Sequence, residues 1–270
     1  MIVFPNCKIN LGLHIVEKRA DGYHNLETVF YPIPWCDALE WIPAKEATTI
    51  HTSGYPSGPD SDNLVIKAYK LLKRDYPFLK ELEMWLHKAI PPGAGLGGGS
   101  SDGAHALQML AGSFHLKLSD AQLNEYALQL GSDCPFFLRN RPCIATGRGE
   151  ILEEIPLSLS GYKMVLVHPE IHISTREAFL GIQPAYPSRQ LEEAIMAPIS
   201  DWKDLIFNDF EKSIFPKYPL LSHLKDTLYE KGAIYASMSG SGSTLFGIFP
   251  AAKAFTPFDS DFTWKEVIIP

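Results

Sequence analysis

The most constraining stretch of this 270-residue chain is "AIPPGAGLGGGSSDGAHALQML", residues 89–110, where five glycines fall within seven positions and a helical pattern follows at once. Glycine carries a backbone entropy penalty, so such a run is kept where φ > 0 is required or where another group must approach the main chain closely. Ala104, Leu107, Leu110 and Ala111 recur at helical spacing, and Ser100, Ser101 and Asp102 are helix-starting residues. Upstream, "LEMWLHKAI" alternates as a strand does, so strand, glycine loop and helix follow one another. Unpaired N–H groups and the positive end of the helix dipole meet at such a helix start, which makes it a ready site for phosphate.

Three kinds of phosphate loop compete for these letters. Gly93, Gly95 and Gly98 satisfy G-x-G-x-x-G, but that dinucleotide fingerprint also needs a second strand ending in an acid about twenty residues on. Here "FHLKLSDAQLNEYALQL" starts a helix near Asp120, spanning roughly 119–130 and ending at Gly131. A Walker A loop needs a lysine where Gly99 stands. What remains is a glycine-rich loop that wraps phosphates with backbone amides and takes its cation and its acid–base groups from elsewhere in the chain.

At 46% hydrophobic residues the chain can build one large core or two modest ones, and its net charge of −7, without Lys/Arg runs interleaved with aromatics, argues against nucleic acid as a partner. Four cysteines, Cys7, Cys36, Cys134 and Cys143, lack C-x-x-C spacing, which predicts reduced thiols in a cytoplasmic protein and no disulfide framework or metal cluster. No h-region opens the sequence and no eighteen apolar residues run together, so neither a signal peptide nor a membrane span is expected.

Along the chain, "CKINLGLHIVEK" alternates strictly and reads as a half-buried strand, with Asp21-Gly22 as a turn into a second strand. "DSDNLVIKAYKLLKRDY" reads as an amphipathic helix capped near Asp62. "GSDCPFFLRNRPCIATGRGEILEEIPLSLSGYKMVLVHPE" reads as a turn, a strand, a linker near 152–161 and a new strand. Helices are expected near 175–182, 188–197, 201–214 and 218–231, then strands "AIYASM" and "TLFGIF" around a second glycine loop, and a closing strand "WKEVII". The class is mixed α/β (α+β).

A loop without its own lysine needs a cation and a proton acceptor if it serves transfer to a hydroxyl. Lys8 and Asn10, two residues apart on one strand, share a face; taken alone, Lys8 also reads as a solvated edge lysine. Asp133, in "LGSDCPFF", is either a partly shielded carboxylate or a helix N-cap before Pro135. Tyr23 and His24 offer a ring face and a hydrogen-bonding partner to a planar base, or simply pack on a hairpin. Ser239, Gly240, Ser241 and Gly242 supply donors for a second anion, or a plain hairpin turn.

These segments together resemble a known family. "PPGAGLGGGSSD" is similar to the signature loop of the GHMP small-molecule kinases, and "KINLGLHI", "RADGYHNLETVF", "DNLVIKA", "GSDCPFF", "GRGE" and "MSGSGSTLF", in this order over residues 7–249, resemble the branch acting on a diphosphocytidyl methylerythritol in non-mevalonate isoprenoid biosynthesis. The resemblance implies ATP-dependent phosphorylation of the 2-hydroxyl of that compound, with Asp133 taking the hydroxyl proton and Lys8 orienting it. It places Pro91, Pro92, Gly93, Ala94, Gly95, Leu96, Gly97, Gly98, Gly99, Ser100 and Ser101 on the triphosphate and Asn63 and Leu64 at the adenine. It puts the diphosphocytidyl substrate against Asn10, Tyr23, His24, Thr175, Phe179, Ser239 and Gly240, the cytosine lying between Tyr23 and Phe179. Mg²⁺ is expected with ATP, without an assigned protein ligand, although Ser101 is a candidate. Two domains are implied, 1–155 related to a ribosomal-protein S5-like fold and carrying ATP binding and catalysis, and 156–270 ferredoxin-like. The expected partners are ATP and the diphosphocytidyl substrate alone, with no nucleic acid and no membrane, in a monomer or weak homodimer. Competing readings are a GHMP kinase for another alcohol, such as homoserine or mevalonate, and a nucleotide-binding protein without catalysis.

Overall fold

In the computed structural model, which describes residues 1–187, 190–258 and 262–270, the strands run β1 (Ile2–Val3), β2 (Asn6–Lys18), β3 (His24–Cys36), β4 (Ala38–Pro43), β5 (Thr49–Gly54), β6 (Leu82–Lys88), β7 (Cys143–Thr146), β8 (Ile151–Glu154), β9 (Tyr162–His168), β10 (Tyr235–Met238), β11 (Leu245–Pro250) and β12 (Thr263–Ile268). The α-helices are α1 (Leu64–Asp75), α2 (Gly98–Ser113), α3 (Asp120–Leu130), α4 (Cys134–Arg139), α5 (Thr175–Leu180), α6 (Leu191–Ile195), α7 (Trp202–Leu205), α8 (Asp209–Ile214) and α9 (Pro219–Glu230). Two compact units form, each from several chain segments: one from Met1–Cys7, Trp35–Pro92 and Gly97–Arg141, the other from Lys8–Pro34, Gly93–Leu96 and Pro142–Pro270.

The first unit holds a four-stranded sheet in the order β1-β4-β6-β5, with β5 parallel to β6 and the other pairs antiparallel. On β6 the inward positions are Leu82, Met84, Leu86 and, continuing the alternation, Lys88. α1 buries Val65, Ile66, Tyr69 and Leu72, the stripe its spacing predicts. Its cap is Asn63, not Asp62, because the Asn63 Oδ1 accepts the Val65 amide at 2.9 Å. α2 starts at Gly98, earlier than the serines suggest: Gly97 is the N-cap at φ 67°, which a residue with a Cβ adopts only under strain, and Ser100, Ser101 and Asp102 fall inside the helix. α3 opens on a capping box between Ser119 and Gln122 and ends at Gly131. Where a turn leading into a strand was expected, α4 comes first, with Pro135 in its first turn, where a missing N–H costs nothing.

The second unit holds two sheets, β2-β3-β7-β8 and an all-antiparallel β10-β11-β9-β12. Its core gathers Leu13, Ile15, Val165, Val167, Phe210, Leu224, Leu245 and Phe249. β2 is not half-buried: from Asn6 to Ile15 both faces are covered. β8 takes the start of the expected linker at 152–161, pairing with β7. The expected helix at 201–214 is broken into α7 and α8, because the Phe207 carbonyl accepts the Leu13 amide at 2.9 Å and Asn208 turns out of helical geometry at φ −107°, ψ 114°. The helix expected at 188–197 is α6; its first two positions lie outside the described residues. The helix near 218–231 and the strands on either side of the second glycine loop form as read, and the closing strand pairs with β9.

Candidate active site

The glycine loop runs through both units: Pro91 and Pro92 belong to the first, Gly93 to Leu96 to the second, and Gly97 to Ser101 to the first again. In the second unit the Leu96 carbonyl accepts the Lys8 amide at 3.0 Å, the Gly95 carbonyl accepts the Ser239 hydroxyl at 2.8 Å, and the Ala94 carbonyl accepts the Thr244 amide at 3.3 Å. A Cβ at Gly95 would stand 2.0 Å from the Ser239 carbonyl oxygen, with the backbone at φ +79°, so only glycine fits there. In the first unit, Gly98 and Gly99 open the sixteen-residue α2, whose first amides have no partner within the helix. The Ser101 hydroxyl is fully buried and 3.2 Å from the His105 Nδ1.

The same helix start is tied to the sheet by charges. Lys88, 4% exposed, donates to Asp37 and, at 2.6 Å, to Asp102 Oδ2. The Asp37 Oδ1 accepts the Ala89 and Ile90 amides at 2.6 and 2.8 Å, fixing the turn that enters the loop. Burial pushes the Asp102 carboxyl upward, an effect that Lys88 opposes and Asp37 reinforces, and among the described residues its Oδ1 has no hydrogen-bond partner. Burial pulls the Lys88 ammonium down, but the two carboxylates outweigh it and raise it above the usual lysine range. None of these three was a sequence candidate. Lys88 could have been flagged as a lysine on the apolar phase of β6; nothing local marks Asp37.

In the second unit Lys8 and Asn10 do share a face, and Lys8 is no edge residue. It is 4% exposed, donates to Asn10 Oδ1 at 2.7 Å and lies 4.7 Å above the Phe30 ring. Asn10 in turn donates from Nδ2 to Thr28 at 2.9 Å, and its amide reaches the Ser239 hydroxyl at 3.2 Å. The Ser239 hydroxyl thus links β2 to the Gly95 carbonyl inside the protein. Tyr23 is 58% exposed, with the Arg148 guanidinium 5.3 Å from its ring centre. His24 stacks on Phe179 at 4.7 Å and 18°, a gap that admits no third ring. Burial, helped by Lys18, lowers the His24 pKa below its ordinary value. Thr175 opens the short α5, capped by Ser174.

Asp133 lies in the first unit at the N-cap position of α4, half-buried, yet its side chain makes no cap hydrogen bond. Beside it burial pushes the Cys134 thiol up to about 12, so it stays protonated. Asn63 caps α1, with Leu64 next to it at half burial. Among the described residues no group of three His, Cys, Asp or Glu gathers to hold a metal, and no helix is long and apolar enough to cross a membrane. A loop of amides at a helix start, with a buried lysine in the chain, can hold phosphate charge in place.

Residues 63–141 match the GHMP kinases N terminal domain and residues 192–257 the GHMP kinases C terminal domain. Over 96% of its own length and 96% of the relative's, the chain is 54% identical to a 4-diphosphocytidyl-2-C-methyl-D-erythritol kinase of Bacteroides fragilis (strain YCH46). The chain belongs to the GHMP kinases, in their 4-diphosphocytidyl-2-C-methyl-D-erythritol kinase family. This GHMP kinase superposes with a TM-score of 0.79 on a crystal structure of 4-(cytidine 5'-diphospho)-2C-methyl-D-erythritol kinase, at 33% identity over 92% of this chain and 89% of that one. A mevalonate kinase from Methanococcus jannaschii, 14% identical with a TM-score of 0.70 over 100% of this chain and 98% of that one, shares the fold alone. The mixed α/β fold is therefore that of GHMP kinases, which use ATP, and the fold by itself does not choose among their alcohols.

Proposed function

We propose that the protein transfers the γ-phosphoryl group of ATP to the 2-hydroxyl of 4-diphosphocytidyl-2-C-methyl-D-erythritol, in the non-mevalonate isoprenoid pathway. The observation that carries this reading is the 54% identity over nearly the whole of both chains to a relative so named. Phosphoryl transfer asks for in-line positioning and charge stabilisation more than for covalent chemistry. The amides of Gly93 to Ser101 and the dipole of α2 hold the phosphates, with Asn63 and Leu64 at the adenine. Lys8, buried and bonded to Asn10, orients the acceptor. Asp133 takes the hydroxyl proton as the oxygen bonds to the γ-phosphorus and the bond to the β-phosphate oxygen breaks, releasing ADP. Mg²⁺ arrives with ATP as part of the substrate and neutralises phosphate charge. The cytosine uses Tyr23, His24 and Phe179, with Thr175, Ser239 and Gly240 toward the sugar alcohol and diphosphate; because His24 covers the Phe179 face, it swings aside when the base enters. The enzyme works as a monomer or weak homodimer in the cytoplasm.

A panel of alcohols with ATP tests the reading. The diphosphocytidyl compound should turn over, and homoserine and mevalonate should not; the reverse result overturns it. In the same assay Asp133→Asn should lower kcat by about 10²–10⁴-fold with ATP binding kept, the range for loss of a general base.

A further inference from the structure

The loop that joins β10 to β11 is gripped from beneath by a residue that no sequence motif singles out. Asn208, 2% exposed, sits in the break between α7 and α8. Its Oδ1 accepts the Phe210 amide at 3.0 Å, capping α8, and its Nδ2 donates to both the Met238 and the Gly240 carbonyls at 2.8 Å. Those two carbonyls flank Ser239, whose hydroxyl donates to the Gly95 carbonyl and accepts the Asn10 amide. Both N–H donors of one buried amide are therefore directed at the backbone on either side of one serine, while its oxygen caps α8. The neighbouring residues of the break hold the same strands. Asp209 Oδ2 accepts the Ile15 amide at 2.9 Å, and Glu211 Oε1 accepts the Met238 amide at 2.8 Å and the Ser237 hydroxyl at 3.0 Å.

We propose that Asn208 is a positioning residue for phosphoryl transfer, clamping the Met238 and Gly240 carbonyls so that the Ser239 hydroxyl between them holds the Gly95 segment of the phosphate loop on the Asn10 strand. The inference rests on the kinase reading above and adds to it a residue that touches neither substrate. Buried carbonyls left without a donor reorganise, so loss of the clamp reaches the Gly95 segment through the Ser239 hydroxyl.

The test uses Asn208→Ser and Asn208→Asp in the full chain, each alone and combined with Ser239→Ala. Both substitutions keep an oxygen able to cap α8, but neither can donate to the two carbonyls as the amide does. ATP binding by calorimetry should weaken about tenfold, and the KM for ATP should rise with it. Because Asn208 acts through Ser239, the double variants should bind ATP no more weakly than Ser239→Ala alone, within about twofold. The proposal is overturned if the two effects multiply, or if ATP affinity is unchanged and only kcat falls in step with the melting temperature, as a simple loss of folded enzyme would give. ATP affinity reads the clamp whether or not an acceptor has been found, so a chain that binds ATP but phosphorylates no alcohol removes the kinase reading and still decides the role of Asn208.

Discussion

The loop that opens α2 and the loop between β10 and β11 are both glycine-rich and both tied down from behind, the first by charges and the second by a neutral amide. Lys88, Asp37 and Asp102 place three ionisable groups in a dry interior, where they hold only as a set, since removal of the cation leaves two carboxylates that water cannot reach. Asn208 does a similar job with fixed dipoles and no net charge. A charged tie makes the base of the glycine loop intolerant of losing any one partner. The Asn208 tie uses a group that does not titrate, beside the Glu211 carboxylate that accepts the Met238 amide.

This contrast can be broken by experiment. The largest effect should come from Lys88→Met, which strands Asp37 and Asp102 and should lower stability by about 3–5 kcal/mol, read from the urea unfolding midpoint. A loss under about 1 kcal/mol would mean that the triad contributes through packing and not through charge. Next comes Asp209, beside Asn208. Its burial favours the neutral acid, but bonds from His14, Lys212 and the Ile15 amide outweigh this and bring its pKa down to about 2, from 3.8 when exposed. A depressed carboxylate stabilises the fold above its unfolded pKa, and that contribution is lost as the pH falls through the folded one. Stability should therefore drop between about pH 4 and pH 2 by roughly 2 kcal/mol on account of Asp209. Asp209→Asn should remove that part of the acid slope in a denaturation series. Asp102 has the opposite sign: its raised pKa means that its contribution is complete below the unfolded value and is lost as the pH rises. Since its Oδ1 has no partner among the described residues, Asp102→Asn should cost the least, within about 1 kcal/mol at neutral pH. A loss there as large as that of Lys88→Met would show that both carboxylates are needed as anions.

Features governed by a few neighbouring residues were legible in the sequence. The glycine run announced a helix start because glycine takes up φ 67° at Gly97 without strain, and the alternation from Cys7 to Lys18 announced β2. Lys8 and Asn10 follow from two-residue periodicity. What the letters hid depends on partners far along the chain. The break at Asn208 cannot be read from 201–214, a good helical stretch, because its cause lies at Leu13, Met238 and Gly240. Asp37 looks like a surface acid until Ala89 and Ile90 present their amides to it. The plain reading of Lys8 as an edge lysine failed for the same reason, since strand alternation reports which residues share a face and not whether the outer face is covered. The stretch after Gly131 reads as a turn and then a strand, with a helix N-cap at Asp133 before Pro135 as the other reading; α4 forms there, with the proline in its first turn.

The contact between the imidazole of His24 and the ring of Phe179 has a consequence for inhibitor discovery. A flat fragment that seeks the phenylalanine surface competes with an occupant supplied by the protein, and eviction of that occupant forfeits about 0.5–1.5 kcal/mol of aromatic contact, roughly two- to tenfold in affinity. For the cytosine site proposed above, a bare nucleobase should therefore bind weakly, and hits should be ranked only after that handicap has been added back.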